Sequence, residues 1–266
     1  MEVGMRVGSL FAGIGGFDLG LERAGMEIRW QVENNLWCQR VLAKHWPNVT
    51  RYGDIKQVDW HTIEPVDLVC GGFPCQPFSL AGKRKGFDDD RYLWPEVVRC
   101  LDAVRPTWFL GENVPGIIKV ALDQVCADLE ALGYTVQAFN IPACAVDAAH
   151  QRKRIWIVAH AARELPYGTG TRGGWGLEST DSGETVSDAQ RERSQGQRPE
   201  HELCSLSRQI QISRDSWWEP EPSVGRVAHG VPSRVDRLRG LGNAVVPQVV
   251  EVLGRMMIEV EHASLV

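Results

Sequence analysis

Between residues 5 and 160 the chain alternates short apolar runs with amphipathic segments, and this rhythm leaves few folds open. Strand-like runs fall at Arg6 to Phe11, Glu27 to Glu33, Pro65 to Cys70, Thr107 to Glu112, Tyr134 to Ile141 and Arg154 to Ala159. Helix-like segments lie between them: Phe17 to Arg23 stopping at Gly25, Leu36 to Trp46 ended by Pro47, Arg91 to Val104 ended at Arg105-Pro106, and Ile117 to Leu132 ended by Gly133. Parallel neighbours need a long crossover, and a helix is the usual one. The rhythm therefore predicts an α/β fold: a mostly parallel, doubly wound, Rossmann-like sheet covered on both faces.

The pattern breaks near residue 160. From there to about 225 Gly, Ser, Thr, Arg, Glu and Gln dominate, and Gly168 to Gly176 and Ser179 to Gly183 read as loop. So long a stretch without apolar periodicity is usually functional or disordered. Order returns over Val231 to Val266, with helical periodicity from Val245 to Val260. The expected organisation is a main domain over 1–160, a small irregular region over 161–225, and a segment over 226–266 that returns to the main domain.

A chain of 266 residues, 43% hydrophobic and 24% charged, suits a soluble protein with one large core and room for a small second domain. No apolar run is long enough to span a bilayer. The N-terminus passes straight into a strand-like segment, so no signal peptide is expected. Seven cysteines without a Cys-x-x-Cys pair argue against zinc and against a disulfide framework, so no metal and a reducing cytoplasm are expected. A net charge of -5 argues against nonspecific coating of nucleic acid. It leaves room for local basic surface at Lys83-Arg84-Lys85, at Arg152-Lys153-Arg154, and at Arg226, Arg234, Arg237 and Arg239. If the fold gathers these, they line a phosphate-binding cleft.

Two loops carry the chemistry. Gly71-Gly72-Phe73-Pro74-Cys75-Gln76-Pro77-Phe78-Ser79 follows an apolar strand and holds Cys75 between glycines and prolines. A thiol on a rigid loop at a strand end is where an α/β enzyme would keep a nucleophile, although a buried cysteine is more often a small hydrophobe. Phe11-Ala12-Gly13-Ile14-Gly15-Gly16 follows the first strand and opens the first helix, which suits either a structural turn or a cofactor loop. Glu33 lies about 20 positions on, where an acid is expected to take ribose hydroxyls. Asp54, in Gly53-Asp54-Ile55, sits at the next strand end. These groups suit a nucleoside-bearing cofactor, nicotinamide or S-adenosylmethionine alike.

With Pro74-Cys75-Gln76 the chain resembles the DNA (cytosine-5)-methyltransferases of prokaryotes and their phages. The resemblance runs in order along the chain outside residues 160–225. Phe11, Gly13, Gly15 and Gly16 match the family's S-adenosylmethionine loop, while Glu33, Asp54 and Ile55 match its ribose and adenine contacts. Pro74 and Leu93 fall near the cofactor. Gly111-Glu112-Asn113-Val114 resembles the element that binds the target base, and Gln151-Arg152-Lys153-Arg154 its two-arginine motif. In the run Arg237 to Pro247, Asn243 and Val245 would complete the cofactor site. Two departures stand out. Asn34 replaces the apolar or aromatic residue usual against adenine, and Asp147-Ala148-Ala149-His150 lacks the usual glycine and proline.

The resemblance implies an S-adenosyl-L-methionine-dependent methyltransferase fold with a small target-recognition lobe at 161–225. It implies a methyl transfer to carbon 5 of a flipped-out cytosine in double-stranded DNA. Cys75 would be the nucleophile, Glu112 the group that protonates or hydrogen-bonds nitrogen 3, and Arg154 the holder of the exocyclic oxygen, supported by Arg152. A monomer is expected, with a cognate restriction endonuclease as a partner. A tRNA cytosine methyltransferase would share the motifs. A nicotinamide oxidoreductase would share the sheet and Glu33 but gives no reason for Cys75, Glu112 and the arginines. A DNA-binding relic without catalysis would not need Cys75, Glu112 and Asn243 intact.

Overall fold

The computed structural model describes residues 4–74, 93–161 and 233–263. Its strands are β1 (Arg6–Leu10), β2 (Glu27–Val32), β3 (Thr50–Tyr52), β4 (Leu68–Gly71), β5 (Trp108–Asn113), β6 (Tyr134–Ile141) and β7 (Arg154–Ala161). They form one sheet in the order β3-β2-β1-β4-β5-β7-β6. The pairs from β3 across to β5 are parallel. β7 alone runs against its neighbours β5 and β6. The link from β6 to β7 holds a 3-10 turn at Ala143–Val146 in place of a crossover helix, so the chain returns antiparallel. The mostly parallel Rossmann-like sheet is as expected.

Helices cover both faces: α1 (Gly16–Arg23), α2 (Leu36–His45), α3 (Trp94–Val104), α4 (Ile117–Val120), α5 (Leu122–Ala131), α6 (Arg234–Asn243) and α7 (Pro247–Ala263). On one face Phe17 and Leu21 of α1, with Val250 and Leu253 of α7, pack on Val7, Leu68 and Leu110. On the other, Leu101 and Leu129 pack on Leu10, Val69 and Phe109. β4 and β5 are buried along their whole length, which explains their unbroken apolar runs. α7 is seated closely on α1. A Cβ at Gly20 would lie 2.5 Å from the Pro247 carbonyl, and one at Gly254 2.9 Å from Ala24 Cβ. Trp108 Nε1 donates to Glu261 Oε1 at 2.8 Å and fastens the far end of α7 to the sheet.

Three elements differ from expectation. The single helix expected over 117–132 is two, because Ala121 leaves helical geometry with φ -150°. α6 was not anticipated, whereas β3 is the strand whose end was expected at Asp54. The helix expected from Arg91 has Leu93 as its N-cap and begins at Trp94; residues 91 and 92 lie outside the described residues. The expected irregular region, 161–225, also lies outside them, apart from Ala161 at the end of β7.

Candidate active site

In this strand order β1 lies between β2 and β4, and chain connections diverge on its two sides. Open α/β sheets bind ligands beyond the carboxyl ends of their strands at such a point. Beyond β1 the chain turns through Phe11, Gly13 and Gly15, all with positive φ, into α1. Gly15 caps α1 without a side-chain acceptor, which leaves the helix N-terminus suited to an anionic group. Glu33 sits one residue past β2. Its Oε2 accepts from Gly13 N at 2.8 Å, and its Oε1 accepts from Asn35 N at 2.8 Å. Each oxygen keeps a further lone pair, enough to receive two hydroxyls.

The glycines of the loop divide the work. At Gly13 an added Cβ would meet only the Phe11 carbonyl, at 3.9 Å, so the backbone is open to a ligand. At Gly15 it would lie 2.3 Å from the Trp46 ring, and at Gly16 2.9 Å from Val245 Cγ2. Those two admit close packing of the protein on itself, and Gly16 brings Val245 to the start of α1. Asp54 caps a 3-10 turn at Ile55–Gln57 and accepts from Lys56 N at 3.0 Å. The Ile55 side chain is turned into the core, and its carbonyl accepts from Arg99 Nη2 at 2.8 Å. Leu93 packs against the core from the cap of α3, Pro74 is half-buried, and Asn243 ends α6 exposed.

At the neighbouring strand ends the groups are charged. Glu112, in β5, is 9% exposed. Its Oε1 lies 2.8 Å from Arg154 Nε, at the start of β7. Burial pushes the Glu112 carboxyl above its ordinary range, against the opposing pull of Arg154 and Arg152. Gly72 passes over this carboxylate, and a Cβ there would sit 3.2 Å from Glu112 Oε2. Asn113, also buried, donates from Nδ2 to the Phe73 carbonyl at 2.9 Å. Phe73 packs against Trp94 with ring centroids 4.8 Å apart. The segment that leads to Pro74 is thus held by Asn113. Cys75 lies outside the described residues.

Arg152 has a role that sequence spacing does not reveal. Its Nη2 donates to the carbonyls of Gly242 and Ala244, both at 2.8 Å, so it grips the backbone on either side of Asn243. It does so from a left-handed backbone, φ 31°, which is strained for a side chain of this size. Burial and the neighbouring Arg154 lower its pKa, and Glu112 offsets them in part. Glu112, Arg152, Arg154, Trp156, Val245 and Val249 line one small cleft. A carboxyl beside a guanidinium in a partly open cleft sets a donor and an acceptor side by side. Among the described residues no group of His, Cys, Asp and Glu is placed to hold a metal ion, and no helix is long and apolar enough to cross a membrane.

Residues 5–220 match the family C-5 cytosine-specific DNA methylase. Type II methyltransferase M.NgoFVII of Neisseria gonorrhoeae is 36% identical over 157 residues, which cover 56% of this chain and 42% of the relative. Type II methyltransferase M.HhaI of Haemophilus parahaemolyticus is 34% identical over 160 residues, 58% of this chain and 49% of the relative. The matches thus span less than half the length of these relatives. Among solved structures, a DNA modification methyltransferase encoded within a prophage (E. coli) superposes with a TM-score of 0.51 at 26% identity, covering 59% of this chain and 47% of the other. DNMT2 of Spodoptera frugiperda shares the fold with a TM-score of 0.52 at 24% identity, over 64% and 54% of the two chains.

Proposed function

This chain belongs to the C-5 cytosine-specific DNA methylase family, and from that premise we propose that it methylates carbon 5 of a cytosine flipped out of duplex DNA, with S-adenosylmethionine as donor. One observation carries the reading: a buried carboxyl with a raised pKa, Glu112, is held by Arg154 beside the strand end that leads to Pro74 and Cys75.

The crevice residues fit the donor. Gly13 leaves backbone open, the uncapped start of α1 suits a carboxylate, and Glu33 has lone pairs for ribose hydroxyls. Asp54 and the Ile55 backbone would border the adenine, and Phe11, Pro74, Leu93, Asn243 and Val245 would complete the wall. When bound, S-adenosylmethionine supplies an electrophilic methyl group.

The remaining work falls to side chains. The Cys75 thiolate bonds to carbon 6, and the displaced electron pair moves through the ring to nitrogen 3. Glu112, protonated, gives its proton to that nitrogen and leaves carbon 5 nucleophilic. Arg154 steadies Glu112 and the exocyclic oxygen. A base then takes the carbon 5 proton, the thiolate leaves as the ring double bond re-forms, and the nitrogen 3 proton returns to Glu112. Arg152 holds residues 242–244 so that Asn243 and Val245 face the donor.

Residues 161–225 would read the bases flanking the target, with the basic clusters binding phosphates. Exchanging this segment for that of a relative is expected to change which cytosine is marked in sequenced plasmid; an active chimera with the original site would place recognition elsewhere. The activity itself is tested by labelled methyl transfer to duplex DNA and to tRNA. Label in DNA as 5-methylcytosine is expected. Transfer to tRNA alone would replace the DNA reading.

A further inference from the structure

A carboxylate without a part in this chemistry lies fully buried beneath the crevice. Asp18, in the first turn of α1, is 0% exposed. Its Oδ2 accepts from Ser9 Oγ at 3.1 Å, and its Oδ1 accepts from Gln31 Nε2 at 2.7 Å. Ser9 on β1 and Gln31 on β2 are themselves fully buried, as is Cys70 on β4. Strand pairing sets these three in one row, with Ser9 opposite Gln31 on one side and Cys70 on the other. The burial of Cys70 and the nearby charge of Asp18 raise its thiol pKa, while a hydrogen bond with Ser9 opposes them.

The row has a definite relation to the site. One residue past each strand lies a site position: Phe11 after β1, Glu33 after β2, Gly72 after β4. Asp18 thus grips Ser9 and Gln31 two positions before the loops that form the crevice. A bulge in β2 makes this possible. Val7 pairs with Ile28 but Gly8 pairs with Trp30, so Arg29 is an extra residue and Gln31 is brought to the α1 face. A charged group in this place is costly, and burial pushes the Asp18 carboxyl up to about 6. Apolar packing would hold α1 to the sheet more cheaply, as it does at Phe17 and Leu21. What apolar contact does not supply is a fixed direction for each strand end.

We propose that Asp18 is a positioning residue for the methyl donor, tying β1 to β2 from below so that the glycine loop and Glu33 face one ligand. The Glu33 to Gly13 bond closes the same pair of strands from above. The inference rests on the crevice being the S-adenosylmethionine site, and the unaltered chain checks that separately. Calorimetry of S-adenosylmethionine binding to the full chain would be compared for Asp18→Leu, Asp18→Asn and Ser9→Ala, with melting temperature and duplex DNA affinity beside it. Asp18→Leu is expected to weaken donor binding about tenfold while melting temperature and DNA affinity hold, and Asp18→Asn to restore it to within about threefold. Donor affinity unchanged in folded Asp18→Leu overturns the proposal, as does a loss matched by equal losses in melting temperature and DNA affinity. Should Asp18→Leu not fold, Ser9→Ala decides: a loss of about threefold supports the tie and unchanged affinity overturns it. Absence of binding by the unaltered chain overturns the cofactor reading itself, and the inference with it.

Discussion

At the ends of β1 and β2 the groups of the candidate site are largely backbone, held by neighbours close in sequence; at the end of β5 and the start of β7 they are charged side chains held from far away. Glu33 reaches Gly13, 20 positions back, and Asn35, two positions on. Arg152 reaches carbonyls 90 and 92 positions away. The first half forms wherever its strands pair. The grip of Arg152 exists only once the C-terminal segment has come back to the sheet. The glycine loop and Glu33 are thus a property of local turns, and the seat of residues 242–244 on Arg152 a property of the whole fold.

Cys75→Ala probes the chemistry common to both halves. It is expected to abolish methyl transfer while S-adenosylmethionine still binds, and robust turnover by the variant would remove the nucleophile from the scheme. Glu112→Gln comes next, with a loss of about 10²–10⁴ in kcat and little change in donor affinity. The protonated carboxyl is the active form, so in the unaltered chain the Glu112 limb is full at low pH and falls as pH rises through the raised pKa. The glutamine variant should lack that limb; an unchanged pH profile would assign it to another group.

The two arginines sharpen the contrast within one strand end. Arg154→Ala is expected to cost about 10²-fold in kcat and to push the Glu112 limb to still higher pH, since a cation that lowers its pKa is gone. Arg152→Ala is expected to act chiefly on KM for S-adenosylmethionine, by about tenfold, through the released backbone around Asn243. Equal kcat losses in both variants would dissolve the distinction. The smallest effects are expected on the donor side. Glu33→Ala should cost about 1–3 kcal/mol of donor affinity, and Asp54→Ala the lower end of that range. Glu33 leaves two backbone N–H groups unpaired and Asp54 one. Unchanged calorimetric affinity in both would move the crevice elsewhere.

Legibility in the sequence follows the same division. The glycine loop, Glu33 and the apolar runs of β4 and β5 were readable because spacing and composition encode them locally. β3 was legible by its end at Gly53-Asp54 and not by its extent, since Thr50-Arg51-Tyr52 is three residues long and carries no apolar pattern. α6 was missed because Val235, Leu238 and Leu241 are exposed on a helix otherwise rich in arginine and glycine. The break at Ala121 has no Gly or Pro to announce it. The place of Asp18 depends on the bulge in β2 that brings Gln31 against it, and the grip of Arg152 joins segments that no window spans together.

The seating of α7 on α1 also has a consequence for how the protein is made. About 85 residues separate the end of β7 from the start of α7, a delay on the order of 4–17 s at ordinary rates of synthesis. During that interval Val7, Phe17, Leu21 and Trp156 emerge from the ribosome without the helix that covers them. The newborn chain carries an open apolar face until α7 docks, and chaperone demand should concentrate on that face.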